Sequence, residues 1–168
     1  METFGSSGLL EWTGPILSGA LVTIQMAIAA YLIGLVLGLL GATAKLSGSR
    51  ALKGLATGYT TIVRAVPELL LIIILYYSGQ QALNALLQWL EVEGTYDISG
   101  FAAAIAVLAV VEGAYLTEIF RGAILAIPRG HIEAADAFGM TRRQRFRRII
   151  LPEMLPNALS GMSNIWLI

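Results

Sequence analysis

One histidine and no cysteine leave little for a metal ion, and no nucleophile–base constellation stands out, so the carboxylates and guanidiniums are weighed first. Four of these charges, Arg64, Glu68, Glu112 and Glu118, stand in otherwise apolar stretches. An ionisable group in hydrocarbon is expensive and needs a partner or water. Arg64 and Glu68 bracket Pro67, whose ring and missing N–H loosen a helix there, and at their spacing they read as a structural pair. Glu118 and Arg121 are close enough along a helix to pair on one face. Glu112 has Leu108, Ala109, Tyr115 and Leu116 at its helical neighbour positions, and none of them is a base. Two readings of it stay open. In one, its carboxylate faces a wet central cavity and takes a cationic amino-acid side chain, with Tyr115 offering a ring face and a hydroxyl one turn on. In the other, it meets a group on a neighbouring helix or subunit, or is protonated.

A second polar group lies in RGAILAIPRGHIEAADAFGMTRRQRFRRIILPE, residues 121–153. Pro128 and Gly130 break the preceding helix, Ile132 to Phe138 can make two turns, and Gly139 is a natural stop. Thr141 and Gln144 form a capping box that starts a second short helix over Arg142 to Ile150, which Pro152 ends. Arg142, Arg143, Arg145, Arg147 and Arg148 could bind nucleic acid, but beside membrane spans they suit a membrane surface carrying anionic headgroups, and no nucleic-acid partner is expected. His131 reads as a loop residue, and no metal site is expected. No phosphate-binding loop of the form G-x-x-x-x-G-K-[ST] occurs, so the chain does not hydrolyse ATP itself.

These groups are positioned by a membrane protein. The chain is 57% hydrophobic and 13% charged, with mean hydropathy +0.74, too apolar to cover a soluble globule. Apolar stretches place spans at about 15–44, 57–78 and 98–120, with another beginning near Pro156. The polar residues after Tyr77, among them Gln80, Asn84 and Gln88, suggest a short interfacial helix, with Trp89 and Tyr96 at the headgroups. All eleven Lys and Arg residues fall either from Lys45 to Arg64, between the first two spans and into the start of the second, or after the third, which makes those two regions cytoplasmic and puts the N-terminus outside. The 121–152 segment is therefore a cytoplasmic loop. Met1 to Ser18 has no basic residue, so no processed leader is expected. Gly34, Gly38 and Gly41 allow a close helix crossing and mark a candidate helix interface, weighed here for a second subunit.

Glu133, Ala134, Ala135, Gly139, Ile149, Leu151 and Pro152 reproduce the spacing E-A-A, three residues, Gly, nine residues, I-x-L-P. This resembles the cytoplasmic loop of bacterial ABC-importer permeases. KLSGSR, YTTIVRAVPELLLIIILYY and GAYLTEIFRGAILAIPRGHIEAA are similar to permeases of the histidine/lysine/arginine/ornithine and octopine/nopaline type. The resemblance implies an all-α integral membrane protein with the type I ABC-importer fold, N-terminus outside, cut within the fourth of five spanning helices. It implies one transmembrane domain in the bacterial inner membrane that moves polar or basic amino acids. Its partners would be an ABC ATPase dimer, a second permease subunit (identical or sister), an extracytoplasmic binding protein and lipid. It implies no cofactor on this chain, ATP being used by the ATPase. Glu133, Ala134, Ala135, Phe138 and Gly139 would then form the coupling helix that docks in the ATPase. An ion-coupled secondary transporter relaying protons through Glu112 and Glu118 is the competing reading, and it leaves the E-A-A loop unexplained.

Overall fold

A computed structural model describes residues 6–90 and 99–167, and every regular element among them is helical. α1 (Ser6–Lys45) is followed by α2 (Arg50–Ala65), α3 (Glu68–Trp89) and α4 (Gly100–Leu125). Then come the short helices α5 (Arg129–Ala137) and α6 (Arg142–Arg145), a π-helical turn over Phe146–Ile150, and α7 (Leu151–Trp166). Trp12–Lys45, Leu69–Trp89 and Gly100–Leu125 are each long and apolar enough to cross a bilayer.

α4 is the hub. It packs on α1, α2, α3 and α7, and its buried residues run along most of its length, from Ala103 to Ala123. α1 turns its glycines to α4. A Cβ on Gly38 would lie 2.5 Å from Leu116 Cβ, and one on Gly41 would lie 2.2 Å from Thr117 Oγ1. Gly113 answers from the other side, where a Cβ would be 2.9 Å from Leu37 Cβ. In lipid there is little hydrophobic force between helices, so close backbone packing of this kind supplies the association. The Gly34/Gly38/Gly41 face is thus spent on a contact within the chain, not on a second subunit. The rest of α1 presents Ile16, Leu21, Ile24, Ile28, Leu32 and Val36 outward, as a lipid-facing surface does.

The second apolar segment is two helices, where one span over 57–78 was expected. Proline disfavours helical backbone in the residue before it, and Val66 is extended at φ −99°, ψ 139°. Pro67 then begins α3. α2 is amphipathic, burying Ala56, Thr60 and Val63 while exposing Arg50, Lys53, Leu55 and Ile62. The polar residues Gln80, Asn84 and Gln88 continue α3 to Trp89 and do not form a separate interfacial helix. Tyr96 and the acids Glu91, Glu93 and Asp97 lie outside the described residues.

Pro152 does not stop the second loop helix. The coil passes through it into α7, which starts at Leu151, ahead of the expected Pro156. The ring of Pro152 would crowd the carbonyl four residues back and supplies no N–H. A wider turn relieves both problems, and the Leu151 N–H donates to the Phe146 carbonyl in π-helical register.

Two apolar clusters result. Ala42, Leu116, Phe120, Ala123, Ile127, Met154 and Ala158 join α1, α4 and α7 next to the 126–152 loop, at the end expected to be cytoplasmic, while Val63, Leu71, Val111 and Ala114 join α2 and α3 to α4.

Candidate functional site

The loop between α4 and α7 carries a helix with two distinct faces. Ala135 is 2% exposed, and Ile132 packs against the cytoplasmic-end cluster. Ile132 is therefore an anchor to the body of the protein. Glu133, Ala134, Ala137 and Phe138 point the other way, and the Phe138 ring is 84% exposed. The face is slim because of its alanines, and it ends in an aromatic residue that no described residue covers. α5 starts at Arg129, ahead of the expected Ile132, so Glu133 sits in its second turn, where the dipole of the helix N-terminus has largely decayed.

The end of α5 is a Schellman motif. Gly139 adopts φ +69°, its N–H donates to the Asp136 carbonyl at 3.0 Å, and the Met140 N–H donates to the Ala135 carbonyl at 3.0 Å. A side chain at Gly139 would be strained by the backbone, though open space surrounds it. The expected capping box is present: the Gln144 N–H donates to Thr141 Oγ1, and the Thr141 N–H donates to Gln144 Oε1. Arg145 pairs with Asp136 and ties α6 to α5. His131 lies in the first turn of α5, not in a loop, with Nδ1 2.8 Å from the Glu153 carboxylate at the start of α7. These ties hold α5 to α6 and to the start of α7.

Glu118 does pair with Arg121, Nε to Oε2 at 2.9 Å. It has a stronger partner that sequence reasoning missed. Lys45 Nζ, at the end of α1, donates to Glu118 Oε1, and it also donates to Thr60 Oγ1 at 2.6 Å. The Lys45 and Glu118 side chains are 8% and 19% exposed. One buried carboxylate thus joins α1, α2 and α4. No spacing rule could have found a partner 73 positions away.

Beside this clamp lies a cleft of about 390 Å³ lined by Thr60, Thr61, Arg64, Ala65, Tyr115 and Glu118, within the size range of small-molecule sites. The Arg64 guanidinium stands 5.5 Å from the Tyr115 ring centre, a cation–π contact. The Glu68 side chain, expected to pair with Arg64, lies outside the described residues. Glu112 is not on this cleft. It faces α1, where a Cβ on Gly34 would be 3.2 Å from its Cβ, and its Oε2 is buried. Tyr115 and Glu112 therefore serve different helix contacts, because on α4 one side looks to α2 and the other to α1.

The sequence profile of the family described as binding-protein-dependent transport system inner membrane component matches residues 30–168. The chain belongs to this family. The permease is 47% identical over 158 residues to the histidine/lysine/arginine/ornithine transport system permease protein HisQ of Escherichia coli (strain K12), covering 94% of its own length and 69% of that protein. It is 39% identical over 163 residues to the octopine transport system permease protein OccQ of Rhizobium radiobacter, covering 97% and 68%. Among solved structures it superposes on an amino acid ABC transporter crystallised with histidines, at TM-score 0.74 and 29% identity, covering 99% of this chain and 72% of that one. The MetNI methionine ABC transporter in an inward-facing conformation shares the fold at TM-score 0.71 and 24% identity, over 94% and 70%. The permease is thus a non-enzymatic, multi-pass subunit of the bacterial inner membrane, with the type I ABC-importer fold expected from its loop. In this family ATP is hydrolysed on a separate subunit, and a substrate-binding protein takes part.

Proposed function

We propose that this permease carries basic amino acids or their opine derivatives inward. It would do so as one of two permease subunits, identical or sister, mounted on an ATPase dimer and fed by an extracytoplasmic binding protein. The observation that carries this reading is the 47% identity to a histidine/lysine/arginine/ornithine permease across 94% of the chain. Glu133, Ala134, Phe138 and Gly139 form the coupling face, since an exposed aromatic beside alanines, on a helix tied to α7, suits a groove in a partner. Ala135, expected among them, is buried on the inner side instead. The passage of the amino acid is assigned to the Thr60, Thr61, Arg64 and Tyr115 cleft, where hydroxyls and a guanidinium can meet an α-carboxylate. Glu112 is left out of this set because its carboxylate is turned to α1.

The test is reconstitution of the full-length subunit with its permease partner, ATPase and binding protein in proteoliposomes. Uptake of labelled arginine, lysine or histidine should require both ATP and the binding protein. Uptake that persists without the ATPase and collapses with the proton gradient would overturn the proposal in favour of ion coupling. Uptake confined to neutral amino acids would overturn the cargo.

A further inference from the structure

We propose that α6, the π turn and the start of α7 form a binding site for one anionic phospholipid of the inner leaflet, with the headgroup phosphate between Arg143, Arg147 and Arg148. The side chains of Arg143, Gln144, Arg147 and Arg148 enclose a polar notch of about 590 Å³, and all four are exposed. The ion pairs of this loop use other groups, Arg145 with Asp136 and His131 with Glu153. Three guanidiniums thus converge on open space without an acid among the described residues. Like charges so placed repel unless an anion joins them, and a phosphodiester accepts several N–H groups at once.

Two features select a lipid over a soluble anion or an acidic protein surface. First, the notch continues into an apolar track on the same helix. Gln144, Arg148, Pro152, Leu155 and Leu159 follow one another at helical spacing and are all exposed. The opposite row, Ile150, Met154 and Ala158, is packed into the cytoplasmic-end cluster. A headgroup in the notch would therefore lay its acyl chains along Leu155 and Leu159. Second, the coupling face is elsewhere. At about 100° per residue, Arg145, which reaches to Asp136 on α5, points away from the row of Arg143 and Arg147. The arginines are left clear of α5, at the head of the exposed Leu155 and Leu159 row.

The experiment uses the full-length permease co-purified with its ATPase subunit and stripped of lipid in detergent. Native mass spectrometry with added phosphatidylglycerol or phosphatidylcholine reads the headgroup preference. A phosphatidylglycerol with a photoactivatable acyl chain is mapped on the unmodified protein, so a variant that fails to fold still leaves a readout. Expected are preferential binding of phosphatidylglycerol, crosslinks in the peptide holding Leu155 and Leu159, and a loss of preference on the order of 100-fold in R143Q/R147Q/R148Q with the ATPase still bound. The assignment is overturned by equal binding of the two lipids, by crosslinks confined to other segments, by full displacement of the lipid by millimolar inorganic phosphate, or by loss of the ATPase from the variant.

Discussion

Gly38→Ala adds a single methyl group at the closest approach of α1 to α4. Its carbon would lie 2.5 Å from Leu116 Cβ, 3.1 Å from the Leu116 carbonyl carbon and 3.2 Å from the Thr117 nitrogen. Carbon atoms rest comfortably at about 3.5 Å or more, so the helices must part locally by about 1 Å. Rotation cannot relieve the clash, because two of the three neighbours are backbone atoms and Leu116 is fully buried. Overpacking of this kind costs about 1–3 kcal/mol, and alanine returns about 0.5–1 kcal/mol of helix propensity. The net expectation is a loss of about 1 kcal/mol, between bounds of about 0 and about 2.5 kcal/mol. Gly19→Ala is the matched control, since a Cβ there meets nothing within 4 Å and should be neutral or slightly stabilising. Both variants of the full-length subunit are heated as fluorescent fusions and scored by the fraction surviving size-exclusion chromatography. The reasoning is refuted if the two variants melt together, or if Gly38→Leu is as stable as the parent.

Replacing Phe138 by alanine should leave the melting temperature of the permease unchanged, since the ring is 84% exposed, but weaken ATPase binding by about tenfold or more in a titration of the two subunits. Gly139→Ala places a side chain at φ +69° and should cost about 1–2 kcal/mol at the end of α5. Its measured signs would be reduced ATPase stimulation by the loaded binding protein and faster hydrogen exchange confined to residues 129–141. Lys45→Met removes the principal partner of a mostly buried carboxylate and should destabilise by about 3 kcal/mol. Adding Glu118→Gln should restore part of that loss, and a double-mutant cycle with a coupling below about 0.5 kcal/mol would contradict the clamp.

The loop between α4 and α7 was readable in advance because its determinants are local. A capping box, a glycine forced to positive φ and a run of alanines act within one or two turns, and their spacing along the chain is their spacing in space. The helix break at Val66–Pro67 was only half readable. Proline announced a weakness there, but whether the helix bends or divides depends on the packing of Thr60 and Val63 against α4. Pro152 looked equally like a stop. The π turn that carries the helix through it depends on Ile150 and Met154 being held in the core on both sides.

Composition and the E-A-A spacing by themselves determined that this is an inner-membrane importer subunit, and with the placement of the basic residues they led to the proposed cytoplasmic loop and the proposed ATPase-facing helix. Each rests on hydropathy or short-range geometry, which the order of residues carries directly. Only the tertiary structure decided who partners whom across the bilayer. It gave Glu118 to Lys45, turned Glu112 to α1, set Arg64 over Tyr115 and closed the glycine face of α1 on α4. Helices of similar apolarity could cross in many rotations, and these are selected by steric fit at a few small residues and by the need of each buried charge for a partner from another helix.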